Sequence, residues 1–166
     1  MAAQWYDDED GRRRLQVEMA AIDAFNRPRP DELRLVGRRH KQGHLIVSFA
    51  FRPLLTRPDV VRGELIVSSR HPQIEPAARI VSPELPLCPH QMHGEGARNA
   101  VQKRSIPVDW ARQGPVLCMF DHLTPDSPHR WSPAMTLVTL VLNVQSWYLN
   151  YLHYRTTGCW PFDKAA

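Results

Sequence analysis

The hydrophobic pattern of the chain changes its period three times. In the first segment, residues 11–26, apolar residues recur every three or four positions, at Leu15, Met19, Ile22 and Phe25. This spacing predicts an amphipathic helix, and Asp10 is suited to cap its N-terminus. The "RPRP" segment at 27–30 ends the predicted helix, because proline cannot donate a helical backbone hydrogen bond.

Four segments with alternating apolar and polar residues follow, and this is the period of a β-strand. They are Leu33–Arg39, His44–Arg52, Glu64–His71 and Ala78–Ser82. Their connections are short, whereas parallel neighbours need long crossovers. The pattern therefore predicts one antiparallel meander of four strands.

The chain then loses its period until about residue 115. The segment after Pro83 is rich in proline and glycine and is interpreted as a long irregular loop. Within it, residues 97–115 are expected to lie at the periphery of the fold. A loop of this length in a small domain is usually either functional or disordered.

A second helix is predicted from Pro133 to about Tyr154. Ser132 is suited to cap it, and Gly158 is suited to the left-handed position past its end. The helix is apolar on nearly all sides, which is typical of burial against a sheet. The whole chain, residues 1–166, is thus predicted to be a single α+β domain with one sheet backed by helices.

Composition narrows the classes of function. The formal net charge of the 166 residues is +4, and the positive charges are dispersed without a nucleic-acid-binding motif, so no nucleic acid is expected as a partner. No apolar segment reaches the roughly 20 residues that span a bilayer, and the N-terminus does not resemble a secretory leader. Neither a membrane partner nor export is expected.

The three cysteines are Cys88, Cys118 and Cys159. An odd number without a CxxC pair argues against a disulfide framework and against a zinc site, so a reducing cytoplasm is the expected location. No glycine-rich phosphate-binding loop is present, so the chain is not expected to activate a carboxylate with a nucleotide, and no cofactor is predicted.

The order of motifs around Cys118 resembles that of ubiquitin-conjugating enzymes. The matching segments are "PHQMHG" at 89–94, "VLCMF" at 116–120, "WSPAMTLVTLVLNVQSWYL" from Trp131, and "YLHYRTTGCWP" at 151–161. The last is most similar to bacterial homologues encoded in anti-phage operons that make cyclic oligonucleotides (type II CBASS). The resemblance implies a ubiquitin-conjugating-like fold and an acyl carrier that forms a thioester through Cys118.

The same resemblance implies the partners. They would be a CD-NTase-type cyclic-oligonucleotide synthase, whose C-terminus is carried, and a separate activating enzyme if one is needed. Two departures from the eukaryotic pattern stand out. His-Pro-Asn is replaced by His90-Gln91-Met92, so the asparagine is absent, and the 28 positions from His90 to Cys118 leave room for an insertion at 97–115.

Several residues near Cys118 are candidate catalytic groups. A cysteine thiolate can accept an acyl group and release it to an amine, although a free cysteine is often only a buried apolar residue. His90 and His93 are candidates to orient the cysteine segment or stabilise an oxyanion, and Asp121 to deprotonate an amine, with His122 as an alternative. Structural roles for these residues remain open.

Two amides, Gln91 and Asn99, are candidates to replace the missing asparagine. Two other functions remain open besides the carrier. One is a non-catalytic scaffold of the same fold that binds the synthase. The other is a cysteine hydrolase, which would require a cysteine at the start of a helix and a histidine downstream.

Overall fold

The computed structural model describes residues 5–30, 32–40, 43–53, 59–119 and 130–161. Within these ranges there are four helices and six strands. In chain order they are α1 (Glu9–Asn26), β1 (Leu33–His40), β2 (His44–Phe51), β3 (Val61–Val67), β4 (Ala77–Ser82), β5 (Gln91–Met92), α2 (Gly94–Lys103), α3 (Val108–Ala111), β6 (Val116–Leu117) and α4 (Leu137–Thr157).

The four long strands form one antiparallel sheet in the order β1-β2-β3-β4, which confirms the predicted meander. Only β3 differs from its predicted bounds by more than one residue, since it begins three residues earlier and ends at Val67. This part of the strand was missed because Gly63 interrupts the alternation of apolar and polar residues. A Cβ there would lie 2.1 Å from Cζ of Phe49, whose ring fills the space.

The larger core lies between one face of the sheet and the helices α1 and α4. It contains alternate residues of the strands, among them Val47, Phe49, Leu65 and Ile80, together with the buried side of α4. The predicted burial of the last helix against the sheet is therefore confirmed. The α+β class is also confirmed.

Both predicted helix N-caps were wrong. Helix α1 is capped by Asp8, whose carboxylate accepts the backbone N–H of Gly11 at 2.7 Å, and Asp10 lies within the first turn. Helix α4 begins at Leu137 rather than at Pro133, because Ser132 closes a turn with Met135. The backbone N–H of Leu137 donates instead to a carboxylate oxygen of Glu18 on α1, at 2.7 Å.

Glu18 is the centre of a buried polar cluster that joins α1, the β3–β4 connection and α4. Its carboxylate also accepts hydrogen bonds from Arg14 Nε at 2.8 Å and His71 Nε2 at 3.0 Å. Burial alone would raise the pKa of Glu18, but the bonds from His71 and Leu137 and the charge of Arg14 outweigh it and lower the pKa. Burial lowers the pKa of His71, against the opposite effect of Glu18.

A smaller core lies on the opposite face of the sheet, under α2 and α3. Its buried residues are Ile46, Ile66, Ala77, Ala97, Val101, Ile106, Trp110 and Val116. The expectation that residues 97–115 form a peripheral loop is therefore wrong. The segment contains two helices, and its Trp110 side chain is only 1% exposed.

Polar contacts fasten this second layer to the sheet. Arg79 on β4 donates to Glu64 at 2.6 Å and to the Trp110 carbonyl at 2.9 Å, while its guanidinium lies 4.6 Å from the centre of the Trp110 ring. Arg104, just past α2, forms an ion pair with Glu75 in the β3–β4 connection. These contacts hold α2 in a fixed position beside the strand that leads to Cys118.

Candidate functional site

The pairing of β5 with β6 brings His90 and Cys118 together. Gln91 lies opposite Leu117 and Met92 lies opposite Val116 in this antiparallel pair. Directly beyond it, the backbone N–H of Cys118 donates to the His90 carbonyl at 2.9 Å. The main chain at Cys118 is therefore fixed by His90, one of the candidate residues from the sequence.

His90 contributes to this arrangement through its backbone and through its ring. Its φ angle is 60°, in the left-handed region that residues other than glycine seldom adopt. Its carbonyl accepts a second hydrogen bond, at 3.2 Å, from the indole N–H of Trp147 on α4. Its imidazole lies against Trp160, with ring centres 4.6 Å apart. His90 thus links the cysteine segment to α4 and to the chain that follows it.

The segment after α4 folds back onto that helix. Gly158 has a φ of 74° and donates its N–H to the Tyr154 carbonyl at 2.7 Å, as predicted for a helix C-terminus. This turn places Trp160 against Trp147, and the Trp160 side chain is 7% exposed. Trp160 of the "TTGCWP" segment is therefore a core residue that supports His90.

Cys118 lies on the wall of a cleft of about 550 Å³. This volume falls within the range of roughly 300–1,000 Å³ that is typical of ligand sites. One wall is a stripe of α2 formed by Gly96, Asn99, Ala100 and Lys103. These residues are spaced by three and four positions, so they share one side of the helix. The Cys118 side chain is half-buried.

Trp131 forms another part of the cleft. Its indole N–H donates to the Pro72 carbonyl at 2.8 Å, which ties it to the β3–β4 connection. The hydrogen bond secures the return of the chain toward α4 against this connection.

The cleft has a positive charge. Lys103, Arg104 and Arg130 line it, together with one carboxylate, that of Glu75. Glu75 is paired with Arg104. Lys103 and Arg130 are exposed, and among the described residues neither has a carboxylate partner. A negatively charged group in the cleft would therefore meet two cations that no carboxylate of the described residues neutralises.

His93 lies on a different side of α2 from the cleft. It precedes the helix and forms a hydrogen bond through Nε2 to Oε1 of Gln91, at 3.1 Å. It lines a separate depression together with Arg98 and Arg112. The structure thus brings His90 to Cys118 through the main chain and places His93 beside another surface.

The two candidate amides are also separated. Gln91 is engaged with His93, whereas Asn99 lines the same cleft as Cys118. Asp121 and His122 lie outside the described residues. Of the candidates to replace the missing asparagine, Asn99 is the one that the cleft brings together with the cysteine.

The other two cysteines occupy different environments. Burial raises the pKa of the Cys88 thiol, which makes its reactive thiolate form less accessible. Cys159 is exposed, and it lies in the turn after α4, where its backbone N–H donates to the Thr157 hydroxyl at 3.2 Å. Among the described lining residues of the cleft, Cys118 is the sole cysteine.

Sequence reasoning missed Lys103, Arg104 and Arg130 as parts of the site. The available signal was the apolar spacing of Ala97, Ala100 and Val101, which marks one face of a short helix and so puts Lys103 on an adjacent side. Arg130 had no such signal, because its proximity to α2 depends on the tertiary fold.

Two classes of feature are absent from the part of the chain that the structure describes. No group of three histidine, cysteine, aspartate or glutamate residues is arranged to hold a metal ion there. No helix in those ranges combines the length and apolar character needed to cross a membrane.

Comparison of the sequence with models of known protein families finds no matching family, and comparison with curated proteins finds no significant match. The geometry of the cleft and the motifs around Cys118 are therefore the basis for assigning a function.

Proposed function

We propose that the protein is a ubiquitin-conjugating-like acyl carrier. Cys118 would form a thioester with the C-terminal carboxyl group of a partner protein and then pass that group to an acceptor. The observation that carries this proposal is the position of Cys118, half-buried on a cleft wall with its backbone N–H held by the His90 carbonyl at 2.9 Å. A fixed main chain beside an open cleft is the arrangement that acyl transfer requires.

The chemistry consists of two exchanges at one carbonyl carbon. In the first, the Cys118 thiolate attacks the carbonyl carbon of an incoming thioester, a C–S bond forms, and the original thiol leaves with its electron pair as a thiolate. In the second, an acceptor amine attacks the same carbon, loses a proton, and displaces the Cys118 sulfur as a thiolate. Neither exchange needs an oxidant or a metal ion.

The fold supports a ubiquitin-conjugating-like domain. The order of an N-terminal helix, a four-stranded antiparallel meander and a C-terminal helix is compatible with that class. The motifs "VLCMF" and "YLHYRTTGCWP" support the branch found in anti-phage operons. On this basis the carried protein is a CD-NTase-type cyclic-oligonucleotide synthase, with a separate activating enzyme if the operon encodes one, and the role is anti-phage defence.

Two other functions were considered from the sequence. The cysteine hydrolase fits the structure less well, and the non-catalytic scaffold is distinguished from the carrier by the same experiment. A cysteine hydrolase needs a histidine beside its cysteine, and no histidine is among the described residues that line the cleft. Moreover, Cys118 directly follows strand β6. A non-catalytic scaffold remains the second candidate, because the asparagine of the His-Pro-Asn motif is absent.

The test is to incubate the protein with a synthetic peptide thioester that carries the C-terminal sequence of the synthase, and to follow the adduct by intact mass. We expect a reductant-sensitive adduct that Cys118→Ala abolishes and that Cys118→Ser converts to a stable ester. Cys88→Ala and Cys159→Ala are matched controls that retain it. An adduct that persists unchanged in Cys118→Ala would reject the carrier and favour the scaffold.

A further inference from the structure

Helix α2 has three sides with three different environments. Ala97 and Val101 are buried against the sheet. Asn99 and Lys103 line the cleft that holds Cys118. Arg98 lies on the remaining side, away from that cleft. The packing of the buried side fixes the rotation of the helix about its axis, and this rotation directs Asn99 and Lys103 toward the cleft.

The charges of the cleft come from segments that are distant in the sequence. Lys103 ends α2, and Arg130 precedes Trp131 in the return toward α4. Glu75 is paired with Arg104, so among the described residues two cations without a carboxylate partner line the same cleft as the Cys118 side chain. Convergent cations in a concave site attract and orient a negatively charged ligand.

The shape and the polar groups fit an extended peptide. An added Cβ at Gly96 would have no heavy atom within 4 Å, so the wall beside it is open. The amides of Asn99 and Gln73 also line the cleft, and each offers both a donor and an acceptor to a main chain. A polypeptide whose terminal carbonyl carbon is bonded to Cys118 would place its preceding residues along these groups.

We propose that this cleft selects polypeptide C-termini with acidic residues shortly before the terminal carboxyl group, through Lys103 and Arg130. The inference rests on the proposed carrier function and adds the chemistry of the donor. The carboxylate of Glu75 and the two amides favour a peptide over a nucleic acid, since a phosphate backbone is best matched by cations alone.

The experiment compares two peptide thioesters that share a C-terminal residue and a leaving thiol. One carries three glutamates shortly before the terminal residue, and the other carries three lysines there. We expect the wild-type protein to form the Cys118 adduct about tenfold faster with the acidic peptide at low salt, and we expect added salt to reduce the difference. The charge-reversed double variant K103E/R130E is expected to prefer the basic peptide.

The matched control is R98E/R112E, which makes the same change of charge on the other side of α2 and is expected to keep the acidic preference. Labelling of Cys118 by iodoacetamide, which is neutral, reports whether each variant keeps its thiol accessible. A Cys118 adduct that forms at equal rates with both peptides would overturn this inference while leaving the carrier intact. An adduct with neither peptide, or one that survives Cys118→Ala, would overturn the carrier itself.

A third arm adds a single-stranded oligonucleotide as a competitor. We expect the oligonucleotide to reduce the rate of adduct formation with the acidic peptide no more than added salt does at the same concentration of charges. Specific competition that K103E/R130E abolishes and R98E/R112E retains would overturn the peptide assignment and identify the cleft as a nucleic-acid site.

Discussion

The two faces of the β-sheet carry cores of different extent. The face under α1 and α4 is covered by large side chains from all four strands, including Leu33, Phe49 and Phe51. Among the side chains that the structure describes, the sheet contributes Ile46, Ile66 and Ala77 to the core under α2 and α3, and beyond them this face opens into a polar depression. The first core determines the fold, whereas the second positions a helix beside Cys118. The wall of the candidate site thus rests on the smaller core, which also includes Val116 of β6, two residues before Cys118.

The largest expected effect is on the first face, at Glu18. Glu18→Ala should lower the free energy of unfolding by about 3–5 kcal/mol, because Arg14 and His71 would lose their buried partner and Leu137 its acceptor. Chemical denaturation measures this change. Glu9→Ala is the control on the same helix, since its ion pair with Arg13 is exposed and should contribute little. Equal losses in both variants would contradict the structural role of the Glu18 cluster.

The second face is tested at Trp110. Trp110→Ala should destabilise its layer by about 3 kcal/mol, because it removes a buried ring and the surface under the Arg79 guanidinium. We expect the effect to be local, so hydrogen exchange should accelerate in α2 and α3 while β2 and β3 stay protected. Leu65→Ala, in the first core, should instead expose both layers. If Trp110→Ala accelerated hydrogen exchange in β2 and β3 as much as in α2 and α3, the two cores would be one cooperative unit.

Comparison of these cores also shows how far the sequence reaches. The meander was predictable because alternate residues of each strand meet one apolar layer, and only the first three residues of β3, which end at Gly63, were missed. The start of α4 was not predictable, because the acceptor at Leu137 is the carboxylate of Glu18, which no local motif reveals. Local capping motifs therefore give the wrong helix start when a side chain from another element accepts the free backbone N–H groups of the first turn.

The sequence pointed to the adjacency of Cys118 and His90 but not to the surroundings of the site. This adjacency, which the structure shows, followed from motif resemblance, and the reactivity of Cys118 stays a prediction. The pairing of β5 with β6 involves only two residues on each side, which is too short for a periodic signal. Gly94 and Gly96 concealed α2, since glycine is a poor helix former, and with it the contribution of Asn99 and Lys103.

The contribution of the second layer to chemistry is tested at Asn99. If its amide stabilises the oxyanion, Asn99→Ala should slow transfer from the Cys118 thioester to an amine by about 100-fold. Gln91→Ala, which removes an amide engaged with His93, should slow it much less. Single-turnover discharge of the preformed thioester to lysine measures both rates. Similar rates for the two variants would leave the replacement for the missing asparagine outside α2.

The pH dependence of stability tests the first layer again. The folded-state pKa of His71 lies below 6.5 and that of Glu18 below 4.5, so the unfolded chain binds more protons at both sites. The contribution of His71 is complete above about pH 6.5 and falls below it, and that of Glu18 is lost as pH falls through its folded-state pKa. We expect a slope of at most about 1.4 kcal/mol per pH unit for each group.

Urea denaturation between pH 7.5 and 4 measures this slope. His71→Gln should flatten it between pH 6.5 and 5, even though the variant is less stable at every pH. His153→Gln removes an exposed histidine of α4 and should leave the slope unchanged. An unaltered slope in His71→Gln would place the acid sensitivity elsewhere.

The smallest expected effect is at His90, where the two layers meet. His90→Asn keeps a side chain that tolerates the left-handed backbone, and it keeps the carbonyl that accepts the Cys118 N–H, but it removes the ring from Trp160. If His90 acts mainly through its backbone, the rate of adduct formation should fall by less than about threefold, a change of roughly 0.6 kcal/mol in the barrier. A loss above 100-fold, with an altered pH profile, would show that the imidazole itself takes part in catalysis.

The hydrogen bond between Glu18 and Leu137 has a consequence for synthesis of the chain. It joins groups that are 119 positions apart. A ribosome that adds about 5–20 residues per second would deliver them roughly 6–24 s apart. Throughout that interval the apolar side of the emerging α1 has no α4 to cover it, and the nascent chain offers a holding chaperone an exposed helix and an unfinished sheet. The speed of translation over the intervening segments would then determine how long the nascent chain remains bound to such a chaperone.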